Sequence, residues 1–178
     1  MPNAMYCVSA IEVPTESGIT QCYAATNLAD AYAIPLPNGA STSPEQLARF
    51  IVAQQASWIS RLMHIRDLIV AGFGLKTAKQ LTAPGAAGNN SRIGVFKIYS
   101  TSDNEIILGE DDKHLDFRLS VLCTQATTAQ RRLVLSTVVH CHNRLGRMYI
   151  WLIAPFHRVI VQSMLRRAAR KGWPTQHS

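Results

Sequence analysis

The chain has 178 residues, 47% apolar and 16% charged, with a formal net charge of +7. A chain of this length makes one domain that buries about 70% of the surface it exposes when unfolded, and it needs no metal or disulfide staple to fold. The apolar fraction excludes a disordered chain, and the sparse charge leaves room for a surface covered by a partner subunit.

Residues 1–20 are polar, carry Pro14 and Gly18, and read as a flexible lead-in ahead of a single domain over 21–173. Residues 29–36 mix Tyr and Ile with small residues and stop at Pro35 and Pro37, which predicts a first strand. A helix begins after Ser43: its hydroxyl can cap, Pro44 suits the first helical position and Gln46 completes a capping box. Over 57–71, Trp58, Leu62, Ile65 and Ile69 fall on one stripe, which predicts a second helix ending at Gly72 or Gly74. Residues 76–91 then have the composition of a surface loop.

From Arg92 onward the period becomes two. Strands are expected over 93–99, 105–109, 114–122, 133–141 and 148–153, with turns at 100–104, 110–113 and 143–146. Leu115, Phe117, Leu119 and Val121 alternate with His114, Asp116, Arg118 and Ser120, so one face is apolar and the other wet. Matching the apolar faces across the 123–130 loop sets Leu115 opposite Val139, Phe117 opposite Thr137 and Leu119 opposite Leu135. The chain closes with a helix that starts at Pro155 and carries Phe156, Ile160, Met164 and Ala168 on one face. Helices on one side of an antiparallel sheet make an α+β fold.

Cys7, Cys22, Cys123 and Cys141 contain no C-x-x-C pair and no disulfide framework, and Cys141 reads as a small core residue. A reducing, cytoplasmic setting follows. The N-terminus has no basic-then-apolar signal pattern. The longest uncharged apolar run, 149–156, is far short of the ~20 residues of a membrane span, so none is expected. Arg158, Arg166, Arg167, Arg170 and Lys171 form a basic cluster. Lacking a groove-reading motif, it reads as a helix C-terminus complementing its macrodipole, and nucleic acid is not an expected partner.

Trp58, Leu62-Met63 through Arg66-Asp67, and Phe73-Gly74-Leu75-Lys76 introduce a recognisable pattern. It continues at Arg92-Ile93-Gly94-Val95-Phe96, Leu108-Gly109-Glu110-Asp111-Asp112-Lys113-His114-Leu115-Asp116-Phe117-Arg118, Leu135-Ser136-Thr137-Val138-Val139-His140, His142-Asn143-Arg144-Leu145-Gly146-Arg147 and Ala154-Pro155-Phe156-His157-Arg158. The chain resembles an uncharacterised bacterial domain-of-unknown-function family, number 2867, from about residue 25 to 172. More remotely it is similar to the START lipid-transfer, plant allergen and polyketide cyclase superfamily. That likeness implies a helix-grip fold, in which a curved antiparallel sheet wraps a long C-terminal helix around an apolar cavity. Some relatives carry a nicotinamide-binding domain, but no G-x-G-x-x-G follows a strand here, so no cofactor is assigned.

The expected cavity lining comes from three parts of the chain. Trp58, Leu62 and Ile65 belong to the second helix, and Phe96, Ile98, Leu115, Phe117, Leu119, Thr137 and Val139 to the sheet. Tyr149, Trp151, Ile160 and Met164 complete it from the last strand and helix. A small apolar or amphipathic ligand is the expected partner, with residues 76–91 as a lid. The plainer reading of the same residues is ordinary core. A cyclase-, hydratase- or isomerase-type enzyme would use Tyr149, Thr137 or His157 in the same space. A third possibility is a homo-oligomeric interaction module that buries the 112–118 face.

His140 and His142 share a face, and the register sets His114 opposite His140 and Asp112 opposite His142. This set has the donor types for a divalent metal, although an outer sheet face is not a cleft and the plainer reading is polar surface. Cys141 points away from both histidines, so no activated thiolate is expected. Ser136 lacks a G-x-S-x-G elbow and is not read as a nucleophile.

Overall fold

The computed structural model describes residues 7–54, 92–125 and 131–175. The expected helix over 57–71 and loop over 76–91 lie outside these residues. The described elements are β1 (Ser9–Ile11), β2 (Leu28–Pro35), α1 (Pro44–Val52), β3 (Arg92–Ile93), β4 (Phe96–Thr101), β5 (Glu105–Asp111), β6 (Leu115–Gln125), β7 (Arg131–Cys141) and α2 (Arg144–Lys171). The seven strands form one antiparallel sheet in the order β1-β2-β7-β6-β5-β4-β3. The α+β expectation holds: a curved antiparallel sheet is packed against a C-terminal helix.

One sheet face and the two helices enclose the main core. Tyr32 and Ile34 of β2, Ile106 and Leu108 of β5, Val121 of β6, and Leu133 and Leu135 of β7 meet Leu47 and Ile51 of α1 and Val161, Leu165 and Ala168 of α2. The cap of α1 is the expected one, since Ser43 accepts from the Gln46 amide. The reciprocal bond differs: Gln46 Oε1 accepts from Ser41 Oγ at 2.7 Å, and Ser41 Oγ in turn accepts from the Ser43 amide.

The structure corrects four expectations. First, residues 148–153 are helical. Asn143 caps α2 by accepting from the Gly146 amide, and Pro155 lies inside the helix rather than at its start. A short uncharged run fits strand and helix equally well, and the cap decides. Pro155 deprives the Trp151 carbonyl of its donor, but Trp151 is exposed and this turn can bond to water. Second, the strand expected over 93–99 is split. Gly94, at φ +60°, turns the chain between β3 and β4 and sets Ile93 opposite Phe96.

Third, β6 and β7 pair two residues away from the expected register. Leu115 faces Cys141, Phe117 faces Val139, Leu119 faces Thr137 and Asp116 faces His140. The parity is right because burial fixes which face points inward; the absolute offset depends on the turn. Fourth, the second face is not uniformly wet. Val13, Ile19 and Tyr23 cover Ile107 and Val138, and Val13 also packs on Ala31, Ala33, Leu122 and Val134. Within the expected lead-in, β1 pairs with β2, and Ser17 and Ile19 are buried.

Candidate functional site

The first half of α2 crosses the end of the sheet where β2 begins. Between them lies a cleft of about 620 Å³ lined by Asn27, Leu28, Arg147, Ile150, Trp151, Leu152, Ala154, Pro155, Phe156 and Arg158. Helical periodicity explains the wall: Arg147, Ile150, Trp151, Ala154 and Arg158 recur at three- and four-residue steps and so share one side of α2. Beneath them Leu28, Leu115, Val139, Cys141 and Ile150 form a small apolar cluster, with Phe117, Tyr149 and Ala154 packed against it. The helix start is held close. A Cβ on Gly146 would run into the His114 carbonyl oxygen, so only glycine lets the first turn of α2 approach the start of β6 this way.

Beside the cleft is a polar group on the helix-facing side of β2. His157 Nε2 is 3.5 Å from Asp30 Oδ1, and Arg158 Nε is 4.0 Å from Asp30 Oδ2. Among the described residues, neither Asp30 Oδ2 nor His157 Nε2 has a hydrogen-bond partner, and both atoms are buried. Thr137 is the cross-strand neighbour of Asp30. Tyr32, next along this face, has its phenol pushed up by burial and then by the Asp30 carboxylate, against a lowering hydrogen bond with Gln162. A carboxylate, an imidazole and a guanidinium thus meet at the seam between sheet and helix, with Thr137 paired to Asp30 on the neighbouring strand.

The expected lining residues divide among several places. Trp58, Leu62 and Ile65 lie outside the described residues. Leu115, Val139 and Thr137 are buried, Phe117 and Tyr149 pack beside the cleft floor, and Phe96 meets Phe117 edge-on with ring centroids 5.8 Å apart. Ile98, Leu119 and Met164 pack on the main core, and Ile160 is half-buried. Trp151 lies at the cleft mouth with 78% of its surface exposed, where a strand reading had turned it inward. Asn27, Leu28, Asp30, Arg147, Ile150, Ala154 and Arg158 were missed. The signal for the helical ones was present as a three-four spacing, hidden by reading 148–153 as strand.

The outer face carries a different cluster. Arg118 bonds Asp111 Oδ1 at 2.7 Å and stacks on Tyr99, with its Cζ 3.6 Å from that ring centroid and 5.6 Å from that of Tyr23. Gly109, opposite Arg118, gives its stem room to lie on the sheet. Burial works to raise the Asp111 carboxyl, but hydrogen bonds from Arg118 and Tyr99 outweigh it and hold the carboxyl low. Burial, then the hydrogen bond to Asp111, pushes the Tyr99 phenol up to about 12. Burial also raises Tyr23, whose buried hydroxyl has no hydrogen-bond partner among the described residues.

His140 stacks on Tyr23 and meets His142 edge-on, while His142 Nε2 is 3.0 Å from Asp116 Oδ1. His114 turns away, its Nδ1 2.9 Å from Asn143 Nδ2. The two-residue register shift sets His114 beside His142 along the backbone instead of opposite His140, and its ring is drawn to Asn143 rather than to the other two histidines. Among the described residues, no three His, Cys, Asp or Glu side chains converge on a metal-sized site.

Sheet, helix and cleft together define an α+β domain in which, among the described residues, the cleft lies along the long C-terminal helix. The chain belongs to the family described as protein of unknown function (DUF2867), whose model matches residues 22–164. No curated protein and no solved structure matches it significantly.

Proposed function

We propose that the protein binds a small amphipathic molecule carrying an acidic group in the cleft between α2 and the start of β2. One observation carries this reading: two arginines, Arg147 and Arg158, stand on an otherwise largely apolar wall. A cleft of about 620 Å³ is within the range of small-molecule sites. Leu28, Ile150, Ala154 and Phe156 would take the apolar body, and a guanidinium the carboxylate or phosphate. The helix-grip reading of the fold, and the wider likeness to START and polyketide cyclase domains, support ligand binding between sheet and helix. The four free cysteines favour a reducing, cytoplasmic setting.

The test is a titration with a fluorescent long-chain carboxylate and its uncharged alcohol. The carboxylate should saturate, and Arg158→Ala or Arg147→Ala should weaken it about tenfold, in keeping with the loss of one charge-assisted hydrogen bond. The alcohol should be little affected. Absence of saturable binding by either probe would sink the proposal.

The Asp30–His157 pair favours a second reading, an isomerase- or hydratase-type enzyme at the same seam. A carboxylate whose Oδ2 takes no hydrogen bond among the described residues, beside an imidazole, has the groups for proton transfer. Solvent deuterium should then enter the bound acid next to its carboxyl, and Asp30→Asn should stop this without preventing binding. Binding with no exchange would leave a carrier rather than a catalyst.

A further inference from the structure

Beside the cleft mouth, the exposed side of α2 carries an apolar ridge that the described residues leave largely uncovered. Trp151 is 78% exposed, Val159 58% and Met148 53%, and Leu152 and Phe156 are also exposed. Their spacing puts them along a single strip of the helix. The same helix carries seven Arg and Lys residues and no Asp or Glu. Arg144, Arg147 and Arg158 are exposed around the ridge, and Arg166 and Arg170 are exposed on its continuation toward the C-terminus.

We infer that this ridge docks on a lipid bilayer bearing anionic headgroups. Charge selects the occupant. A second copy laid ridge to ridge would bring Arg144, Arg147 and Arg158 of each helix together with no acidic residue on either helix to pair them, which is costly. Anionic lipid supplies the missing countercharge and attracts basic residues near its surface. Tryptophan suits the headgroup boundary, and arginine stems can lie along apolar surface while their heads reach phosphates.

The helix lies in the surface and does not cross it. By length and composition α2 could cross, which the short uncharged run at 149–156 does not reveal. However, the strip from Met148 to Val159 is only about 17 Å long at 1.5 Å per residue, against a ~30 Å hydrocarbon core. Beyond it, Val161, Leu165 and Ala168 are locked in the main core.

The experiment is co-sedimentation of the whole chain with phosphatidylglycerol–phosphatidylcholine vesicles and with pure phosphatidylcholine. It compares the natural chain with Met148→Asp/Val159→Asp, two exposed positions outside the cleft lining. The natural chain should pellet with anionic vesicles, lose binding as salt rises, and bind neutral vesicles at least about tenfold less. The double variant should partition about tenfold less while binding the fluorescent carboxylate unchanged, which separates docking from the cleft reading. Equal binding to neutral vesicles, or no pelleting at all, overturns the inference. So does a dimer in light scattering that the double variant dissolves, because it would assign the ridge to a second copy.

Discussion

Replacing Glu105 with alanine should release the N-terminal segment from the outer face of the sheet. Glu105 is 9% exposed, and its Oε1 accepts from both Ser17 Oγ and Ser120 Oγ at 2.5 Å, while Oε2 accepts from the Gly18 amide at 3.0 Å. Hydrogen bonds to a charged acceptor contribute about 1.5–3 kcal/mol each. Both serine hydroxyls can rotate to other acceptors, so the three losses do not add in full, and the net cost should be about 3 kcal/mol. That is a large share of the roughly 5–15 kcal/mol that holds a domain together. Glu105→Gln keeps one accepting oxygen and should lose about half as much. Denaturant unfolding gives the global figure, and hydrogen exchange over residues 13–23 gives the local one. A cost below about 1 kcal/mol with unchanged exchange there would show that Val13, Ile19 and Tyr23 hold the segment by apolar packing alone.

Further outcomes follow from the same geometry. Asn143→Ala removes the cap of α2 and should cost about 1 kcal/mol in unfolding free energy, most of it recovered by Asn143→Asp. Gly146→Ala sets a methyl group against the His114 carbonyl and should cost about 1–3 kcal/mol or more, measured the same way. Spectrophotometric titration should show one phenol ionising near 12, lost in Tyr99→Phe, well above the ordinary tyrosine value of about 10. Because its folded value is raised, the Tyr99 contribution to stability is complete below about pH 10 and disappears as pH rises through about 12. Asp111 has the opposite sign: its folded value is lowered, so its contribution is present at neutral pH and fades as pH falls below the usual carboxylate range. Asp111→Asn should therefore flatten the acid limb of the stability curve.

The strands were legible wherever one face is apolar and the other polar. Leu115, Phe117 and Leu119 announced β6, and the cost of burying Asp116 and Arg118 fixed its parity. The offset from β7 was not legible, because shifts by two residues bury the same set and the turn alone separates them. In β7 both faces are apolar, so Val134 and Val138 gave no warning that an N-terminal segment covers them. Reading 148–153 as strand hides the helical side of the cleft. An uncharged stretch carries no polar residue to mark its period, and Asn143, which marks the helix start, also suits a turn. Asp30 was passed over because a lone carboxylate in an apolar strand has no pattern; only its meeting with His157 and Arg158 across the fold gives it meaning.

The two ends of the sheet have a consequence for behaviour in concentrated solution. Among the described residues the outer strands are only three and two residues long, β1 at one end and β3 at the other. A strand from another chain finds little backbone to copy there, one of the ways natural proteins discourage open-ended polymerisation. Inside β1, however, lies the eight-residue β2. Losing the short outer strand would turn a blunt end into a long adhesive one. A variant that frees the first part of the chain should therefore form fibrillar aggregates before it loses its helices, linking this domain's solubility to a few residues far from its cleft.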